Sequence, residues 1–369
     1  MHLFLAPKAY GLLSFNDGRD RVFVNASYGI SYDSDIFSSK GGAGDFVQNF
    51  GAGIEYIRKA GMIGVNSSLS WNFGKFSKFT AQNFADPNFS AKFTKGEGRT
   101  TGSLGLQLSR QSRSDTTLNA RTESWNYGLD LALKYPINER FYLTTDSAFN
   151  LTKYVSSNAS SQTLADLTSY SQGAELFYVY NSKLDLFTAY RYRSSSTSQK
   201  ETAQDHAISG GLTGGIIPKL SGSINIGYQH RQSNSPTDGS TAFDSLFGSI
   251  GLAYTASKKL TLDFQATEDF STTASNVSID SRSATVHVNY VFTRKFSVNG
   301  GATYSDTRCL GLAGQGRHDH GYQLDAGVSY TLTPHIHLNA SYNFTRNYSN
   351  LEFANYAKRG FTFNVGARY

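Results

Sequence analysis

The 369-residue chain carries 23 Tyr, 26 Phe and 35 Gly but only 6 Pro, and charged residues make up 17% of it, against roughly 25% in average soluble domains. Its mean hydropathy of −0.38 and the lack of any run of about 18 apolar residues exclude a helical membrane protein, while the lone Cys309 excludes a disulfide framework or a four-cysteine zinc site. The net charge of +6 comes from basic residues scattered along the chain, which argues against a nucleic-acid partner.

Residues 1–20 show no strand pattern and stay unassigned, as a periplasmic or lumenal segment. The stretch before Pro7 has neither the charged start nor the apolar core of about 7–15 residues of a secretory signal. A barrel must be exported, so the expectation is that a signal was removed ahead of this sequence.

From residue 22 onward the pattern changes. Apolar and polar residues alternate through 22–32, 125–135, 224–228, 260–266, 284–292, 296–304, 324–332, 336–344 and 361–369, the period of a strand with one greasy and one wet face. In 336–344, for example, Ile336, Leu338, Ala340, Tyr342 and Phe344 share one face, and His337, Asn339, Ser341 and Asn343 the other. Between residues 73 and 98 no clean alternation appears. One descending strand is placed at 76–84, with a turn around Asp86-Pro87, because an odd number of crossings there would put the turn at 136–140 on the wrong rim.

Short turns at 58–61, 136–140, 181–183, 218–219, 256–259, 293–295 and 333–335 alternate with longer Ser-, Asn-, Gly- and Asp-rich loops at 33–45, 156–168, 194–205, 232–241, 308–321 and 348–357. This asymmetry belongs to outer-membrane barrels, whose short side is periplasmic. A β-propeller blade has a similar period but packs four short strands into it, whereas here each period holds two strands long enough to cross a bilayer. The expected fold is all-β: one transmembrane antiparallel up-and-down β-barrel over residues 21–369, of about 18 strands with 16 as the fallback, and with both termini periplasmic.

A barrel this wide is not filled by side chains, so its interior must be polar and wet and its apolar faces must meet lipid. Aromatics such as Trp71, Trp125, Tyr135, Tyr178, Tyr190, Tyr254, Tyr290 and Tyr330 fall near strand ends on the apolar face, as two interfacial girdles would require. The last strand places Phe361, Phe363, Val365, Ala367 and the terminal Tyr369 on that face, which resembles the signal read by the bacterial barrel assembly machinery. Asp86-Pro87, Phe93-Thr94-Lys95-Gly96, the run 98–102 and Ser124-Trp125-Asn126-Tyr127 are similar to a Gram-negative family of β-barrel porins. That resemblance implies a passive outer-membrane pore first and, because some relatives are linked to exopolysaccharide export, an exit channel or surface scaffold second.

On this reading the lumen receives Asp130, Lys134, Asp146, Glu175, Asp185, Arg191, Arg193, Asp263, His287, Asp325, His337 and Arg368. Both signs are present, so weak selectivity among small polar solutes is expected rather than the one-sided ring that sets ion selectivity. Arg191 and Arg193 project to one side, either as a basic constriction or as partners of nearby acids. Phe177, Val179, Phe187 and Val291 break the rule on the wet face; an inward loop, the N-terminal segment or a sugar-stacking slide would explain them. His318-Asp319-His320 with Cys309 nearby lacks a defined metal scaffold, Gly311, Gly314 and Gly316 lack the rest of a phosphate loop, and His287 and His337 have no nucleophile partner. No enzyme, metal or cofactor is therefore expected. The partners are outer-membrane lipid and lipopolysaccharide, the assembly machinery, small polar solutes and, by general analogy with porins, a second copy of the chain.

Overall fold

The computed structural model describes residues 12–59, 61–116, 118–155, 164–236, 238–311 and 316–369. A three-residue strand, β1 (Leu13–Phe15), precedes eighteen long ones. These are β2 (Asp20–Asp33), β3 (Asp45–Arg58), β4 (Gly64–Phe76), β5 (Phe84–Lys95), β6 (Thr101–Asp115), β7 (Ala120–Pro136), β8 (Phe141–Val155), β9 (Leu167–Val179) and β10 (Leu184–Thr197). They continue as β11 (Thr202–Ile217), β12 (Leu220–Ser235), β13 (Gly239–Thr255), β14 (Leu260–Thr272), β15 (Ser278–Val291), β16 (Phe296–Cys309), β17 (His318–Thr331), β18 (Ile336–Ser349) and β19 (Tyr356–Arg368). Each pairs antiparallel with its sequence neighbours, and β19 closes on β2 through Arg368↔Asn25 to Gly360↔Asp33. The result is a closed 18-stranded barrel, in which every spanning strand finds partners on both sides and no edge is left in lipid.

Closure follows from the faces. Tyr28, Ile30 and Tyr32 stand opposite Val365, Phe363 and Phe361 and are all partly exposed, so the apolar side of the seam points outward. Below the end of β19, β1 covers the edge of β2 that β19 does not reach, pairing Leu13, Ser14 and Phe15 with Val22, Arg21 and Asp20. Tyr369 exchanges backbone hydrogen bonds with Val24 and stacks on His335 at 4.5 Å. Of the unassigned segment, residues 1–11 lie outside the described residues.

Two expectations need correction. No strand descends through 76–84: β4 ends at Phe76, residues 77–83 form a loop on the rim of the longer connections, and Asp86 and Pro87 lie inside β5, whose turn comes at 96–100. Proline lacks the donor a ladder needs, but β5 pairs with β6 only from Asn88 onward, so the β6 side of Pro87 is open. The strand count survives because β5 replaces the misplaced segment. The loops expected at 194–205 and 232–241 are mostly strand: β10 runs to Thr197, β11 starts at Thr202, and β12 and β13 are joined by 236–238. Strands of up to 17 residues exceed the roughly 9–11 a bilayer requires, and their outer ends stand clear of it with polar residues on both faces.

Candidate pore

The inward face is set by parity across the ladders. On β2 to β7 it carries Asn25, Ser27, Asn49, Ser68, Ser70, Asn72, Asn88, Ser90, Gln107 and Asn126, a wall mostly of carboxamides and hydroxyls into which Glu55, Lys92 and Asp130 are also set. A recess of about 890 Å³ lies against this wall, and Glu55, Lys92, Asp130, His337 and Arg368 all line it. Arg368 is held by Glu55 at 2.7 Å, with its guanidinium 4.0 Å from the Phe23 ring centre.

On β7 to β11 the wall is charged and aromatic. Lys134 sits 3.6 Å above the Tyr142 ring, Tyr142 stacks on Phe177 at 4.6 Å, and Phe177 meets Phe187 at 5.1 Å. Gly211 ends the row: a Cβ there would come within 2.7 Å of the Phe187 ring. The Tyr142 hydroxyl donates to Asp185 at 2.7 Å, and Thr144 donates to Glu175 at 2.9 Å. Asp146 fills the space beside Gly173, where a Cβ would lie 2.2 Å from its oxygen. Phe177 is buried with its ring engaged on both sides, so Phe177 and Phe187 brace the wall; the row is not an open slide for sugars. Farther round, Asp263 stands opposite His287, and His287 lies 3.9 Å from Asp325.

The outer half of the lumen is narrowed by a hairpin. β13 pairs with β14 only up to Gly248↔Glu268, so the upper ends of β14 and β15 part from β13 and turn inward. The inward-facing Ala203, Asp205, Ala207, Gln229, Arg231 and Ser233 on β11 and β12 are each at most 2% exposed, whereas Gln204, His206 and Ile208, on the outer face of β11, are exposed. Only an element inside the barrel could cover them so.

Five charges hold that hairpin. Arg191 makes paired hydrogen bonds to Asp269 at 2.9 and 2.8 Å. Arg193 donates to Asp269 at 3.0 Å and to Asp205 at 2.6 Å, and Arg231 donates to both oxygens of Asp205 at 2.6 and 2.9 Å. Arg193 also donates to the Phe270 carbonyl at 2.6 Å, on the side of β14 that β13 has left, and Arg231 to the Ser271 carbonyl at 2.7 Å. At the tip Thr197 donates to Asn276, and the amide of Ala165 donates to the carbonyl of Ala274 at 2.9 Å. The two expected arginines are thus joined by Arg231, Asp205 and Asp269, which sequence reasoning missed. The run Ala203-Gln204-Asp205-His206-Ala207-Ile208-Ser209 held the clue, since small residues on one face signal that something packs there.

The mouth is tied across as well. In the loop 34–44, Ile36 packs with Val47 and Phe76 in a small lumenal apolar cluster, and burial pushes the Asp35 carboxyl up despite amide donors from Phe37 and Ser39. Asn119 in the β6–β7 loop donates to the Ser38 carbonyl at 2.6 Å. Arg317, before β17, donates to the Thr116 carbonyl after β6 at 3.0 Å. The hairpins it joins lie on nearly opposite sides of the ring.

Residues 201–369 match the family model described as "Putative beta-barrel porin 2". Over that stretch, just under half of the chain, the sequence is similar to a family of β-barrel porins. The motifs between residues 86 and 127 lie outside the matched stretch. Among solved structures the porin-type fold is similar to Pseudomonas aeruginosa OpdK, at 12% identity and TM-score 0.53, covering 94% of this chain and 99% of that one. It is similar to P. aeruginosa OccK2 at 11% and 0.51, covering 95% and 97%, and to Acinetobacter baumannii OccAB2 at 10% and 0.50, covering 95% and 98%. A search of curated protein sequences found no match.

Proposed function

We propose that this barrel is a porin-like channel for passive diffusion of small hydrophilic solutes, with little preference for charge. One observation carries the reading: a barrel too wide to fill with side chains has one inner wall built mostly of Asn, Ser and Gln, with charges of both signs set among them, while the lumenal arginines on the other are matched to carboxylates. Amides and hydroxyls replace a solute's hydration at little cost, and paired charges project little field into the lumen. No chemistry is needed for this, and we propose no enzymatic role. In the same reading the rim of short turns and both termini is periplasmic, and Phe361, Phe363, Val365, Ala367 and Tyr369 form the face read during assembly.

Single-channel recording of the refolded protein in a planar bilayer tests the proposal. Steady openings, with a reversal potential near zero in a salt gradient, are the expected result. A second reading, an export or scaffold barrel, is favoured by the Arg317 to Thr116 tie across the mouth. A folded barrel that never conducts would put that reading first.

A further inference from the structure

On the outer surface of β16 and β17, above the girdle tyrosines Tyr304 and Tyr322, three metal-ligating side chains meet. Asp306 stands directly opposite His320 in the ladder, and His318 lies one step along, opposite Arg308. His318 Nε2 is 2.9 Å and His320 Nδ1 is 3.2 Å from the same oxygen, Asp306 Oδ2. One ligand atom from each of the three lies within 4.8 Å of the others. In a tetrahedral zinc site with bonds of about 2.0–2.2 Å, neighbouring ligand atoms are separated by roughly 3.3–3.5 Å, so the two His–Asp separations lie a few tenths of an ångström inside that spacing. Asp306 is 8% exposed, and its second oxygen, Oδ1, is buried without a hydrogen bond, 3.4 Å from Arg308 Nε.

The neighbours fit a ligand role. The Tyr304 hydroxyl lies 3.1 Å from His320 Nδ1, the nitrogen that faces Asp306, so metal binding there would displace this hydroxyl. Arg282, opposite Asp306 on β15, is turned toward Glu268 and Asp280, and the Arg308 contact with Oδ1 leaves Oδ2 to the histidines. Asp319 and Cys309, the donors nearest in sequence, fall on the other face of their strands, and Asp319 is taken up by Arg317. The carboxylate is therefore supplied by the neighbouring strand, not by the residue between the histidines.

We propose that Asp306, His318 and His320 form a site for a divalent transition metal of the zinc class on the extracellular rim, with the fourth position open to water or an external donor. Imidazole and carboxylate donors suit such ions rather than magnesium or calcium. The test is calorimetric titration of zinc chloride into the refolded full-length barrel, with folding checked by the heat-modifiable gel shift. The expected result is one saturable zinc per chain, an affinity more than about tenfold weaker in His318→Ala and His320→Ala, the scale lost even when only an outer-shell partner is removed, and no change in His287→Ala. If His320→Ala disturbs folding through its Tyr304 contact, His318→Ala decides alone, since its ring bonds only to Asp306. No saturable binding, or binding unchanged in a folded His318→Ala barrel, overturns the site.

Discussion

Arg231 and Arg191 look alike in the sequence, both on wet strand faces, yet the structure gives them different weight. Arg231 and its partner Asp205 are 1% and 0% exposed at the side chain, whereas Arg191 and Asp269 are 22% and 33% exposed. Removing one member of a buried pair strands the other without water, at a cost of about 3–5 kcal/mol, while a partly solvated pair is worth about 1 kcal/mol or less. Arg231→Ala should therefore lower the unfolding temperature clearly more than Arg191→Ala, and should also loosen the inward hairpin, because the tie from β12 to the Ser271 carbonyl is lost. Thermal melting by the gel shift, with current noise in the bilayer, measures both. Equal melting temperatures for the two variants would show that water reaches Asp205. The sequence placed Arg191 and Arg193 on the inner wall and offered salt bridges as one of two fates. It could not show that Asp205 and Asp269, 64 residues apart, share Arg193, since that depends on where β13 and β14 separate.

At the scale of elements, strands inside the bilayer were legible because each residue there faces either lipid or water, and alternation records the choice. Outside the bilayer that rule lapses. The upper ends of β11 and β12 therefore read as loops, and Pro87 hid β5 until the open edge beside it came into view. The inward β14–β15 hairpin was invisible for the same reason: nothing in 269–280 marks the change from wall to constriction. If the hairpin sets the pore's narrowest section, replacing 273–277 by two glycines should raise single-channel conductance severalfold. Thr197→Cys with Asn276→Cys, in a Cys309→Ser background, should leave conductance unchanged on oxidation, because these residues already touch. A conductance unaltered by the shortened hairpin would move the constriction to the loops at 34–44 and 116–119.

For the molecule as a whole, the question is which side of the wall meets lipid, and one position on β15 isolates it. Val286 faces outward and is 44% exposed, between Tyr290 toward the short-turn rim and the level of Tyr304 toward the other, close to the middle of the apolar band. The next residue back, Thr285, faces the lumen and shares a hydrogen bond with Thr303 across the ladder at 3.0 Å. A lipid-facing arginine near the bilayer midplane costs a barrel about 2–4 kcal/mol, while a lumenal one keeps its hydration. Val286→Arg should accordingly destabilise folding into vesicles by that amount in a denaturant titration, and Thr285→Arg by about 1 kcal/mol or less, the worth of the one hydrogen bond it loses. The same pair should separate in conduction, with Thr285→Arg shifting the reversal potential toward anions and Val286→Arg leaving it in place. A reversed order of the two stabilities would mean that the wet and greasy faces had been exchanged, and the channel reading would fall with the barrel's orientation.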